Sequence, residues 1–104
     1  MKESEFSKYF TGKLKCAGFM VDRIETHSTV CGIPDIHAVG YGNEYWIELK
    51  SCPKLKLADR KEVKVPWRPG QKAWALQYFA KTAGRCSLTV VRAQDGIGFI
   101  SMII

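Results

Sequence analysis

The sequence contains no C-x-x-C pair and no paired histidines; His27 and His37 are its only imidazoles. Cys16, Cys31, Cys52 and Cys86 lie far apart, which suggests neither a zinc site nor a disulfide framework and makes reduced cytoplasmic thiols the expectation. No apolar run approaches the length needed to cross a bilayer. The charged opening M-K-E-S-E lacks the apolar region of a secretory leader. A protein acting in the cytoplasm, with no membrane partner, is therefore expected. Repeats and low-complexity tracts are missing too. Acidic residues are in short supply: 10 Asp and Glu face 16 Lys and Arg, a net charge of +6. That excess suits a polyanionic partner, although many basic domains bind no nucleic acid. At 104 residues, 46% of them hydrophobic, the chain is expected to form one domain with a modest core.

What is present concentrates in Gly32–Ser51. Two strand-like runs, Ile36–Tyr41 and Glu44–Lys50, flank Gly42-Asn43, a two-residue hairpin signal. Side chains in a strand alternate faces, so Trp46, Glu48 and Lys50 share one face. With Gly42-Asn43 as the turn, Tyr41 pairs with Glu44, Asp35 lies opposite Lys50 and His37 opposite Glu48. Asp35 and Glu48 are then diagonal neighbours, roughly 5–8 Å apart at Cβ. Pro34 restricts the backbone ahead of Asp35, and Gly32 admits an unusual conformation upstream. An exposed hairpin face with an ordinary cross-strand salt bridge would explain such a string. The sharper reading is a divalent-metal site, with two hard carboxylates, a backbone carbonyl and waters around Mg²⁺ and with Lys50 beside a metal-bound water and a phosphate. His37 either bridges to Glu48 or packs beneath the site, whereas His27 is expected to be structural.

Around that hairpin, Phe6, Tyr9, Phe10, Leu14 and Ala17 recur with a period near 3.6 and predict a helix over Glu3–Ala17, stopped by Gly18. Glu3 and Glu5 lie in its first turn, where they favour the helix dipole or supply a further carboxylate to the metal patch. Phe19–Thr26 reads as a strand. The segment Ser51–Gly70 carries Lys54, Lys56, Arg60, Lys61, Lys64 and Arg68 against Asp59 and Glu62, six basic residues against two acidic, a net +4. It is either a solvated loop or a DNA-backbone arm, because phosphate contacts supply most non-specific affinity. Trp67 stacks on a base or ribose, or anchors the core. A second helix is expected over Pro69–Ala83, with Ala75, Leu76, Phe79, Ala80 and Ala83 buried, Trp74 and Tyr78 bordering them, and Gln71 in the first turn. Cys86–Arg92 and Ile97–Ile103 read as strands around the turn Gln94-Asp95-Gly96. The expected order αβββαββ makes an α/β sandwich with a central mixed sheet of about five strands.

Gly32-Ile33-Pro34-Asp35, Glu48-Leu49-Lys50 and Arg68-Pro69-Gly70-Gln71 together resemble the PD-(D/E)XK nuclease superfamily. Within it the chain looks most like the virus-type replication-repair nuclease (VRR-NUC) family, small stand-alone proteins often carried by phages and related to Holliday-junction resolvases. In that family a G-V-P-D run, an E-L-K run and a glutamine opening the second helix recur in this order. The likeness covers nearly the whole chain, and the combination is far more specific than a D-x(n)-E-x-K string alone.

The resemblance implies a restriction-endonuclease-like core and one nuclease domain over residues 1–104, enlarged by the basic insertion at 51–70. It implies Mg²⁺-dependent hydrolysis of DNA phosphodiesters, with Mn²⁺ able to substitute, in the cytoplasm of a bacterial or phage-infected cell. Asp35, Glu48 and the carbonyl of Leu49 would be metal ligands, Lys50 would orient or help deprotonate the attacking water, and Gln71 would support the site. A glutamate of the first helix would complete the acidic cluster; the spacing to Gly18 suggests Glu5, with Glu3 the runner-up. Lys54, Lys56, Arg60, Lys61, Lys64, Arg68 and Trp67 would contact DNA. The family's linker before the glutamine is usually shorter than Ser51–Gly70, and His27–Cys31 lacks the basic residues often found before G-V-P-D, so substrate preference is less constrained than chemistry. Branched or junction DNA and a homodimer are expected, since one small domain offers limited contact surface and a branched substrate presents two symmetric strands. The alternative is a catalytically inactive nucleic-acid-binding module with the nuclease fold. A third reading is a small basic interaction protein.

Overall fold

A computed structural model describes residues 3–24, 32–59, 68 and 70–101. Helix α1, Glu3–Cys16, opens the chain and presents Phe6, Phe10 and Leu14 to the sheet. Phe6 is fully buried, a contribution of about 1.5–3 kcal/mol relative to exposure. The helix ends in a Schellman motif, with Phe19 N–H donating to the Leu14 carbonyl, Gly18 N–H to that of Lys15, and Gly18 at φ +97°.

Five strands follow: β1 Met20–Arg23, β2 Ile36–Gly40, β3 Asn43–Cys52, β4 Leu88–Ala93 and β5 Ile97–Ser101. They form one sheet in the order β1-β2-β3-β4-β5. All neighbours are antiparallel except β3 and β4, whose parallel crossover carries helix α2, Gln71–Lys81. Alternation assigns the two faces. Ile36, Ala38, Ile47, Leu49 and Val90 form a core with Phe6 under α1. Trp46, Glu48 and Lys50 take the opposite face, where α2 meets them through Trp74 and Gln71. The expected α/β architecture is thus present, with helices on both sides of a mixed sheet.

The hairpin turn is Tyr41-Gly42, not Gly42-Asn43. Gly40 pairs with Asn43, His37 with Trp46 and Ile36 with Ile47. A two-residue turn of this kind needs positive φ at both central positions, and Tyr41 and Gly42 supply +54° and +78°. For tyrosine that conformation costs about 1–2 kcal/mol. The Tyr41 hydroxyl donates to the Ala17 carbonyl and its ring meets Phe19 edge-on at 5.2 Å, which offsets the strain. Phe19 also lies so close over Gly40 that a Cβ there would come within 2.5 Å of its ring. The register moves by one residue on each strand, so the face assignment survives but the partners change. Continued by one pair, it sets Asp35 opposite Glu48 rather than Lys50, and His37 faces Trp46 rather than Glu48.

Two further expectations need correction. The buried residues of α2 are Gln71 and Ala75, while Leu76 and Phe79 are exposed at 47% and 39%. Trp74, expected at the border, meets Trp46 of β3 and stacks on Tyr78, both half-buried. The basic segment also begins in ordered structure: β3 continues through Ser51 and Cys52, paired to Arg92 and Ala93. A 3-10 turn, Leu57–Asp59, follows. Asp95, between β4 and β5, accepts hydrogen bonds from the Leu57 and Ala58 N–H groups at 2.8 and 3.0 Å. Gln94 N–H donates to the Leu55 carbonyl, and Leu57 packs over Gly98.

Candidate active site

The site forms where β3 outruns β2. Leu49 N–H points toward β2 just beyond its last ladder pair, and Asp35 Oδ2 accepts it at 3.0 Å. The Asp35 carbonyl in turn accepts Ile24 N–H at 2.7 Å, which ties the end of β1 to the same corner. Asp35 therefore continues the sheet with its side chain while holding its carboxylate beside Glu48 and Lys50.

Glu48 and Lys50 sit two residues apart on one face of β3, buried at 7% and 5% exposure. Burying ionised groups costs several kcal/mol unless hydrogen bonds and opposite charge compensate. Gln71 provides part of that compensation. Its Nε2 donates to Glu48 Oε1 at 2.7 Å, while its Oε1 accepts Arg68 N–H at 2.7 Å. One amide thus links Glu48 to the chain entering α2. The link depends on a close backbone approach. Gly32 has φ +98°, and a Cβ there would lie 2.2 Å from the Gly70 carbonyl oxygen and 3.0 Å from Trp74 Cβ. The glycine of the G-I-P-D run is therefore the surface on which the start of α2 rests.

Asp35, Glu48, Leu49 and Lys50 line one pocket of about 230 Å³ together with Arg68, Arg23, Ile24, Ser4 and Ser7. The expected carboxylates and lysine are brought together, and Gln71 is bonded to one of them. Glu5 is exposed on α1 and is absent from the lining, which that helix contributes through Ser4 and Ser7. Position 3 lies one turn before Ser7 on the same helix face, at about 40° around the axis, whereas position 5 is about 160° away. The side chain of Glu3 is outside the described residues, as are Arg60, Lys61, Lys64 and Trp67. Lys54 and Lys56 are exposed just after β3. His37 lies beside Trp46, the rings tilted at 33° with centroids 4.4 Å apart, and its Nε2 lies 3.5 Å from Glu44 Oε1.

Arg23, Ser4 and Ser7 were not singled out by the sequence. Arg23 reads as an ordinary strand-end charge, and only its pairing with Ile36, next to Asp35, brings it to the pocket. Among the described residues no three of His, Cys, Asp and Glu converge as a metal-holding group. The side-chain oxygens that do converge, those of Asp35 and Glu48, are hard carboxylate donors, and Leu49 lines the pocket beside them. One oxygen of each carboxylate is fixed by an N–H, from Leu49 or Gln71. Such a set suits a hard divalent cation rather than a soft one.

Neither a protein-family model nor a curated protein matches the chain. Among solved structures it is similar to Hjc, a Holliday junction resolvase from the archaeal hyperthermophile Archaeoglobus fulgidus. The TM-score is 0.67 at 17% identity, over 95% of this chain and 76% of that one. At that identity the likeness shows the fold, a restriction-endonuclease-like α/β core. No helix among the described residues is long and apolar enough to cross a membrane.

Proposed function

We propose that this protein is a divalent-metal-dependent endonuclease that hydrolyses phosphodiester bonds in branched DNA, a VRR-NUC-like member of the PD-(D/E)XK superfamily. The observation that carries the reading is the convergence of Asp35, Glu48 and Lys50 on one pocket, with Glu48 held by Gln71, in a fold shared with a Holliday junction resolvase. Asp35, Glu48 and the Leu49 carbonyl would hold Mg²⁺, or Mn²⁺ in its place. Bound there, the metal would polarise the phosphoryl oxygen and lower the pKa of a coordinated water.

The chain's own residues do the rest. Lys50 presents a cation beside the carboxylates, suited to orienting the attacking water and offsetting charge that develops on the phosphate. Gln71 keeps Glu48 turned toward the pocket. Arg23 and Arg68 line the same pocket and suit contacts to the phosphates on either side of the cut. A first-helix glutamate, Glu5 or Glu3, completes the acidic cluster; the helix face favours position 3. The basic segment 51–70, with Lys54 and Lys56 exposed just after β3, would supply further DNA contacts through these lysines and through Arg60, Lys61, Lys64 and Trp67. Action as a homodimer in the cytoplasm, in phage or cellular replication, recombination or repair, fits a small basic nuclease of this kind.

The test is cleavage of a four-way junction by the purified protein with Mg²⁺, with EDTA, and with Asp35→Ala. Mg²⁺-dependent cleavage by the wild type that Asp35→Ala lacks is expected. Equal, EDTA-resistant activity in both proteins overturns the assignment.

A further inference from the structure

We infer that the seam between α2 and β3 is a binding track for an unpaired DNA strand, whose bases stack on Trp46, Trp74 and Tyr78 as the strand leaves the cleavage pocket. The inference rests on the nuclease reading and names the substrate class for that same site.

The rings form a continuous series. His37 lies 4.4 Å from Trp46, Trp46 lies 5.6 Å from Trp74, and Trp74 lies 5.1 Å from Tyr78 with planes only 10° apart. All four side chains keep partial exposure, while the fully buried residues of α2 are only Gln71 and Ala75. The exposed part of each ring leaves aromatic area that a stacked base can cover.

The series begins at the proposed catalytic pocket. Trp46 is two residues from Glu48 on the same face of β3, and Trp74 is three residues beyond Gln71, which bonds Glu48. Its other end opens into a cleft of about 580 Å³ that Tyr78 and Arg85 help line. This cleft lies where β3 overhangs the start of β4, since their parallel pairing begins only at Ile47 and Leu88. From Glu48 to Glu44 the strand advances about 13 Å. At 3.4 Å per stacked step, that accommodates up to about four nucleotides.

The chemistry favours a nucleic-acid strand. Aromatic faces accept any base, and Arg68 and Arg85 stand near the two ends for phosphates; of the carboxylates near the rings, Glu44 accepts the Trp46 Nε1–H at 3.0 Å, Glu48 accepts from Gln71, and Asp22 lies across the ladder from His37. In a continuous duplex every base face is covered by its neighbour, so only an unpaired strand can use the rings. A flap, fork or nicked arm beside the cut therefore fits, and uninterrupted duplex does not.

The experiment compares binding of dT12 and of a 12-base-pair duplex in EDTA, where nothing is cut, by tryptophan fluorescence and anisotropy. Wild type, Trp74→Leu and Tyr78→Leu are measured; Tyr78 lies two turns from Gln71, so its loss spares the start of α2. We expect dT12 to quench the fluorescence of the wild type. Each substitution should weaken dT12 binding by about 5- to 150-fold, the range one base stacked on an aromatic ring is worth, and leave duplex binding unchanged. Unquenched dT12 binding, equal dT12 affinity in all three proteins, or parallel loss of duplex binding overturns the track. Junction cleavage in Mg²⁺ by the same preparations separates the two readings. Cleavage without ring-dependent dT12 binding refutes the track alone, and ring-dependent binding without cleavage refutes the nuclease reading alone.

Discussion

Replacing Gly32 by alanine should damage this protein in two separable ways. At φ +98° a non-glycine residue is strained by about 1–3 kcal/mol. The new Cβ would also lie 2.2 Å from the Gly70 carbonyl oxygen and 2.6 Å from its carbon, backbone atoms that cannot rotate away like a side chain. Overpacking of that kind costs a further 1–3 kcal/mol or so. The combined loss, about 2–6 kcal/mol, corresponds to a melting temperature lower by at least about 8 °C for a domain of this size. Gly42→Ala is the control. Its φ is +78°, but nothing lies within 4 Å of a Cβ there, so it should show the strain without the collision. The functional effect follows from which group yields. If Gly70 moves, Gln71 leaves Glu48, and a displacement of about 1 Å at such a site costs on the order of 100-fold in rate. Thermal unfolding by circular dichroism and Mg²⁺-dependent junction cleavage, run below both melting points, read the two effects. A Gly32→Ala protein that melts and cleaves like Gly42→Ala would show that the glycine contact does not position the site.

Gln71→Leu should reduce cleavage by more than about tenfold, because it strips Glu48 of a charge-assisted bond worth about 1.5–3 kcal/mol and leaves the Arg68 N–H without its acceptor. Unchanged turnover on a four-way junction would remove Gln71 from the site. Asp95 has a carboxyl held below its ordinary value of 3.8, first by the Leu57 N–H and then by that of Ala58. Its folded pKa is depressed, so its contribution to stability is fully present above 3.8 and fades as pH falls through the folded value. Urea unfolding of wild type and Asp95→Asn should differ at neutral pH and converge in acid, and a gap that persists in acid would refute the clamp.

Short-range patterns were legible in the sequence where one local rule had no competitor. Of the expected stripe Phe6, Tyr9, Phe10, Leu14 and Ala17, Phe6, Phe10 and Leu14 pack on the core while Tyr9 and Ala17 are exposed; the stop at Gly18 and the shared face of Trp46, Glu48 and Lys50 follow from periodicity or chain sterics. The turn did not, because Gly42-Asn43 and Tyr41-Gly42 both qualify locally; the choice is settled by Phe19 and Ala17, more than twenty residues away. Helix α2 misled for a related reason. Hydrophobicity ranks Leu76 and Phe79 for burial, but the face of the helix turned to β3 carries Trp74 with Tyr78 stacked on it. Arg23 at the pocket and Asp95 on the 3-10 turn are brought to their partners by sheet pairing and by a contact spanning 38 residues.

The glycine-on-glycine contact also bears on how such a protein can change over time. The basic segment leaves the sheet at Cys52, is tied by Leu55, Leu57 and Ala58 to the β4–β5 connection, and rejoins the fold at Gly70, seated on Gly32. Among the described residues, its first half is fixed by the Leu55, Leu57 and Ala58 bonds and its end by the Gly32–Gly70 approach and the Arg68–Gln71 bond. Lengthening a loop between fixed ends costs only about 0.6 kcal/mol per doubling. A change of length between these fixed ends would leave the described contacts that hold Gln71 on Glu48 in place. On the proposed nuclease reading, the DNA-contacting charge of the segment would then be able to change without moving the residues proposed to carry hydrolysis.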